Sequence, residues 1–313
     1  MALYAFDGTG QDDRELGTDL DAIKIESNIW KLYSAYDGYT RRQGIMNVYV
    51  PGVGTKFGPL HGLDALAGNV WGVGWLPRIN FAYNAACAAF ASGDTTIDVV
   101  GFSRGAALAL EFVNELRSRG IKNTDGQVIE PNPRVRFLGL FDCVPAIGVG
   151  NLGPGFDEIH IGVDLDLPPT VDHAFHALAL DERRPQFVVH RVEGAYEVWF
   201  RGVHSDIGGS NDNLGLNYIA LRWMLRKAIL CGLPVTEANI NDAACRPADP
   251  INPTPLSEAS LFWRTVDSGD LLHYTVSQHG TIPGEECNDC PPQCAIETAD
   301  MERTRISPPI VTT

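Results

Sequence analysis

The run Gly101-Phe102-Ser103-Arg104-Gly105 constrains this chain more than any other. It follows an apolar stretch at 96–101 and opens a stretch at 104–119 in which Leu108, Phe112, Val113 and Leu116 recur on one helical face. A strand that turns straight into a helix through one serine needs a backbone that few residues tolerate. Glycine two positions either side of the serine removes the side chains that would strike the neighbouring strand and helix. The serine hydroxyl is then presented at a helix N-terminus, where the dipole favours negative charge. The competing reading is a plain tight turn whose serine caps the helix.

The rest of the chain supplies a setting for such a turn. Residues 2–6 form a short apolar run ending at Asp7-Gly8. A helical pattern covers 21–36, a strand at 45–50 stops at Pro51-Gly52, and an Ala-rich helix covers 78–92. A strand is expected at 135–141, a helix near 171–181, strands at 187–192 and 197–201, and a helix at 214–232. The alternation predicts an α/β fold, α/β-hydrolase-like, with a mostly parallel central sheet and helices on both faces. After Gly232 the chain is rich in Pro, Asn, Asp and Cys. The expected organisation is a hydrolase core over 1–232 with an irregular Pro/Cys-rich C-terminal region, 233–313, packed on it.

A serine nucleophile needs a base, and the base needs a group to orient it. In this type of fold the chain order is serine, acid, histidine. Asp142 ends the strand after the serine and is the expected acid; an ordinary turn aspartate is the alternative. Of eight histidines, His204 is the best placed, at the end of a strand and the start of the Gly-rich turn His204-Ser205-Asp206-Ile207-Gly208-Gly209. Asp206 is a supporting residue and a second candidate acid, awkwardly close in sequence to His204. His173 and His176 sit one turn apart on the expected helix and read as a partly exposed face rather than a metal pair. The oxyanion hole needs two backbone N–H donors. Arg104, after the serine, supplies one, and Gly8 or Thr9 in Asp7-Gly8-Thr9-Gly10 supplies the other; Asp7 braces that loop.

These residues, taken together with Ser27-Asn28-Ile29, Tyr49-Val50-Pro51-Gly52-Val53-Gly54-Thr55, Leu180-Asp181-Glu182-Arg183-Arg184 and Trp199-Phe200-Arg201-Gly202-Val203-His204, resemble the α/β-hydrolase domain of type VI secretion phospholipase effectors. The likeness runs over roughly residues 1–232. It implies a lipase-like serine hydrolase fold and supports Ser103, Asp142 and His204 as the triad.

The expected function is therefore cleavage of carboxylic esters, as an esterase, lipase or phospholipase, through an acyl-enzyme. An amidase or thioesterase on the same triad, and a non-catalytic binding protein that keeps the fold, are the alternatives. The mechanism requires no cofactor, and no metal is assigned. Lys and Arg total 24 against 39 Asp and Glu, a net charge of −15, which argues against nucleic acid and against tight docking on anionic membranes. The expected partner is an ester or lipid small molecule. The N-terminus has no basic region or cleavage site, so synthesis in the cytoplasm is expected, with any export left to a specialised secretion system. The glycine- and aromatic-rich segment 56–76 and the segment 148–169 are candidate lids or acyl-binding walls. Cys287, Cys290 and Cys294 form a dense group for which zinc, with Cys245 or His279 as fourth ligand, a disulfide and free thiols are all open.

Overall fold

A computed structural model describes residues 1–12, 26–40, 46–55, 74–145, 164–211, 214–241, 263–278, 288 and 290–306. Its strands are β1 (Ala2–Phe6), β2 (Val48–Val50), β3 (Ile97–Phe102), β4 (Ile121–Lys122), β5 (Val128–Glu130), β6 (Val135–Phe141), β7 (Val171–Ala179), β8 (Tyr196–Phe200), β9 (Leu271–His273) and β10 (Ala295–Glu297). Its helices are α1 (Asn28–Thr40), α2 (Trp75–Ala91), α3 (Arg104–Arg119), α4 (His204–Gly208), α5 (Leu214–Leu230), α6 (Glu237–Ile240), α7 (Tyr274–Gln278) and α8 (Ala299–Thr304).

Eight of the described strands form one sheet in the order β10-β9-β8-β7-β6-β3-β1-β2, every pair parallel. Parallel strands buried on both faces read as nearly continuous apolar runs, and side-chain alternation then sorts them between two cores. Along β1, Leu3 and Ala5 face α1 and α5, with Ile29, Leu32, Tyr36 and Trp223. Ala2, Tyr4 and Phe6 face α2 and α3, with Ile79, Ala82 and Phe112. The chain leaves β1 for β2 on one side of it and places β3 on the other. Loops after β1 and β3 therefore diverge, opening a crevice at the carboxyl ends of the strands.

Two expected elements differ. Residues 171–179 are a strand, buried from Phe175 to Ala179, not a helix. The Ala- and His-rich sequence misleads because its buried half shows no polar alternation, and helix propensity yields to packing. Phe175, Ala177 and Ala179 lie beneath α5, where small alanines leave room for Trp223. Residues 187–192 pair with no described strand; they run as turn and extended chain, with the His190 N–H donating to the Cys143 carbonyl at 2.8 Å.

The region after Gly232 does more than pack on the core, because it supplies β9 and β10. These are tied in by buried polar groups. The Glu297 carboxylate of β10 accepts from Lys227 Nζ (2.7 Å), Tyr196 Oη (2.9 Å) and Trp223 Nε1 (2.6 Å). Asp270 accepts from Arg191 (2.7 Å) and from Trp199 Nε1 (2.8 Å).

The candidate lids lie outside the described residues except for 74–76, which lead into α2, and 164–169. Cys287, Cys245, His61, His160 and His279 also lie outside them. Among the described residues no three His, Cys, Asp or Glu side chains gather as a metal would need.

Candidate active site

Ser103 sits between β3 and α3 with φ 58° and ψ −127°, a conformation that costs a non-glycine residue of the order of 1–3 kcal/mol. The flanking glycines have a measurable cause. A Cβ on Gly101 would lie 2.5 Å from the Gly105 carbonyl oxygen and 2.6 Å from Ala106 Cα. A Cβ on Gly105 would overlap the carbonyl oxygens of Phe6 and Asp7. The helix can thus pack against the end of β1 only if position 105 is bare.

The three expected residues converge. His204 Nε2 lies 2.8 Å from Ser103 Oγ, and His204 Nδ1 lies 2.6 Å from Asp142 Oδ2. An ionised carboxylate can only accept, so Nδ1 carries the proton and Nε2 presents a lone pair to the serine hydroxyl. Ser103 and His204 are each 5% exposed and Asp142 is fully buried, so the line of bonds ends just at the surface. The His204 ring packs between Phe102 and Phe187, each with its ring centroid 4.7 Å away. Phe102 fits because Gly8 and Gly208 are bare: a Cβ on either would meet its ring. That is the physical content of the Gly208-Gly209 signal.

Asp142 also has positive φ (43°). Its Oδ1 accepts from the Ala179 N–H (2.9 Å) and from Arg264 Nη1 (2.6 Å), and its Oδ2 accepts from Arg264 Nη2 (2.9 Å) as well as from His204. Burial pushes its pKa up. The Arg264 charge and the His204 hydrogen bond outweigh burial and hold the carboxyl well below the usual carboxylate range. No sequence signal marks Arg264, which lies 122 positions from Asp142 in a stretch without periodicity.

Glu182, a member of the Leu180–Arg184 motif, has a role that the motif does not reveal. It is buried, its Oε2 accepts from the His204 N–H at 3.1 Å, and its carboxylate is paired with Arg184. The Arg184 guanidinium in turn lies 4.0 Å over the Phe187 ring. Asp206 accepts from the Val203 N–H (2.8 Å) and from Asn211 (2.8 Å), bracing the start of α4 rather than the imidazole.

The β1 loop is held from several sides. Asp7 is buried; its Oδ1 accepts from the Gly8 N–H (2.7 Å), and its Oδ2 accepts from Ser27 Oγ and Tyr49 Oη (2.6 Å each). Ser27 Oγ accepts from the Trp30 N–H (3.0 Å), capping α1. Asn28 Nδ2 donates to the carbonyls of Ile207 (2.8 Å) and Asn217 (2.9 Å), tying α1 to the turn that carries His204. The Gly8 N–H is thereby committed to Asp7, whereas the Thr9 N–H has no acceptor among the described residues. The Arg104 side chain donates to Thr9 Oγ1, joining this loop to the serine turn.

The remaining described histidines serve elsewhere. His176 is fully buried on β7, accepts from the Cys143 N–H at Nε2 (3.0 Å) and bonds Glu197 through Nδ1 (2.9 Å), so it is neither exposed nor one of a metal pair with His173. His273 bonds Thr275 and Glu302.

The model of the type VI secretion (T6SS) family "phospholipase effector Tle1-like, catalytic domain" matches residues 3–128 and 111–227. No curated protein matches the chain. Among solved structures, an uncharacterized protein from Pseudomonas aeruginosa is 22% identical, with a TM-score of 0.49, over 75% of this chain and 46% of that one. A Tle1 effector bound to the VgrG spike of the type 6 secretion system is 25% identical, with a TM-score of 0.47, over 68% of this chain and 51% of that one. The chain thus spans about half the length of these two proteins.

Proposed function

This chain belongs to the T6SS Tle1-like phospholipase effector catalytic-domain family, and from that premise we propose that it hydrolyses carboxylic esters of lipids with Ser103 as nucleophile. The observation that carries the reading is the unbroken line Ser103 Oγ, His204 Nε2, His204 Nδ1, Asp142 Oδ2, at 2.8 and 2.6 Å, in the crevice where strands β1 and β3 end.

His204 takes the hydroxyl proton as Ser103 Oγ attacks the ester carbonyl carbon. Asp142 keeps the imidazole in the tautomer that can do this and stabilises the cation that results. The backbone N–H groups of Arg104 and Thr9 receive the oxyanion; Gly8 serves the hole by permitting the approach rather than by donating. Collapse of the tetrahedral adduct expels the alcohol, protonated by His204. Water then attacks the acyl-enzyme with His204 again as base, releasing the acid. No step needs a cofactor.

A phospholipid ester fits the family, and export by a type VI secretion system is proposed on the same relation. No described helix is long and apolar enough to cross a membrane. The test is hydrolysis of p-nitrophenyl esters and of phospholipid in mixed micelles, wild type beside Ser103→Ala. Loss of about 10³-fold or more in the variant is expected; unchanged hydrolysis would remove Ser103 from the reaction.

A further inference from the structure

We infer that Arg264, from the segment leading into β9, is a positioning residue of this site: it clamps the Asp142 carboxylate in the plane that meets His204 and places a cation beside the base. The inference rests on the triad reading above.

The geometry is specific. Arg264 meets Asp142 with two parallel bonds, Nη1 to Oδ1 (2.6 Å) and Nη2 to Oδ2 (2.9 Å), the fork geometry that fixes a carboxylate in one plane. The same two nitrogens also donate to the carbonyls of Ala179 and Phe187, each at 2.8 Å. One guanidinium therefore sets both the carboxylate that bonds His204 and the segment whose phenyl ring walls its imidazole. The arginine side chain is 7% exposed and Asp142 is fully buried, so the charge acts where water screens it little.

Its reach extends to the base. Arg264 Nη2 and His204 Nδ1 share one oxygen, Asp142 Oδ2, so they are no farther apart than the 2.9 and 2.6 Å bonds laid end to end. A cation this close opposes protonation of the imidazole. The Asp142 carboxylate acts on the same ring with the opposite sign. Paired with Arg264, it keeps its orienting hydrogen bond while part of its field is cancelled.

Other charged groups lie on the elements around the site: Glu182 on the His204 backbone N–H, paired with Arg184; Asp206 on the same helix as His204; the Asp181–Arg201 pair; and Arg104, next after the serine. Each keeps its own partners when Arg264 is substituted, so a shift in the variant reports Arg264.

The experiment measures the rate at which a fluorophosphonate labels Ser103 between about pH 4.5 and pH 9, beside p-nitrophenyl ester hydrolysis over the same range. Full-length wild type, Arg264→Gln, Arg264→Lys and Ser103→Ala are compared. For Arg264→Gln the acid limb is expected to move up by about one pH unit. For Arg264→Lys, which keeps the charge and loses the fork, the limb is expected to stay in place while the plateau falls about tenfold. A folded Arg264→Gln with the wild-type limb overturns the inference. If Arg264→Gln does not fold, Arg264→Lys decides: a displaced limb or an unchanged plateau overturns it. Hydrolysis that survives Ser103→Ala would instead sink the triad reading, an outcome distinct from either.

Discussion

Glu297→Gln is expected to unfold this protein earlier by a margin that the buried cluster around it sets. Glu297 and Lys227 are both fully buried, and their 2.7 Å contact is the charge pairing. Tyr196 and Trp223 donate to different oxygens of Glu297, so the single oxygen of glutamine serves one of them, while the ammonium loses its counter-charge, a loss of about 3–5 kcal/mol for a buried pair. Unfolding entropy near 2.1 cal/mol/K per residue, taken over 313 residues, amounts to roughly 0.7 kcal/mol per kelvin. The midpoint should therefore fall by about 4–8 °C, read by thermal scans at one rate. Tyr196→Phe, which removes only the 2.9 Å hydrogen bond, should cost about 1 kcal/mol and 1–2 °C. Burial pushes the Lys227 ammonium down while Glu297 opposes that push. Once the carboxylate is gone, folded Lys227 binds its proton more weakly still and the unfolded chain does not, so the deficit should narrow as pH rises from about 7 to about 10. A midpoint drop no greater than that of Tyr196→Phe, or a deficit that widens with pH, would refute the reasoning.

Other expectations follow from the same structure. Asp142→Asn should lower ester hydrolysis by about 10³–10⁴-fold, because the wrong tautomer then faces Ser103, and should also cost about 3–5 kcal/mol by leaving the buried Arg264 without its counter-charge, read by urea unfolding. The depressed Asp142 carboxyl contributes stability that is complete above about pH 4 and lost only as pH falls through its lower folded value, to be read by circular dichroism in an acid titration beside Asp142→Asn. Gly208→Ala forces a methyl into the Phe102 ring and should cost about 1–3 kcal/mol and most of the activity, measured by urea unfolding and ester assay. A chain ending at Gly232 exposes the edge of β8 and leaves Lys227 without Glu297; it should aggregate on expression, and a soluble, cooperatively folding product would contradict this.

What is legible in the sequence is what local chemistry dictates. The elbow glycines, the serine, and the acid and histidine at strand ends all sit where a strand stops and a turn begins, and such stops are written in neighbouring residues. Helix α3 and strand β6 match their expected bounds for the same reason. Strand β7 reads as a helix because its neighbours in space, not its own residues, decide its state: alanines that favour a helix are here the small residues that admit Trp223. Arg264 and Glu182 are invisible as site residues because their partners are brought to them by the sheet; no periodicity marks an arginine that will meet a carboxylate 122 positions earlier. Ser27 and Asn28 stand in the motif without a role, and the structure gives them one as clips between α1, the β1 loop and the turn of His204.

The order of strands along the sheet has a consequence for the order of events in time. The serine strand β3 lies inside the sheet, third from the β2 edge, and forms from residues synthesised early, whereas β9, β10 and the segment before them are made late. Until that segment docks, Asp142 has neither clamp nor cover, and the early strands wait with one edge open. The sheet is thus completed by a long-range closure, the slow kind. On the proposed mechanism a growing chain would hold Ser103 long before it could act, and hydrolytic capacity would arrive with the docking of β9 and β10 rather than accumulating as the chain lengthens.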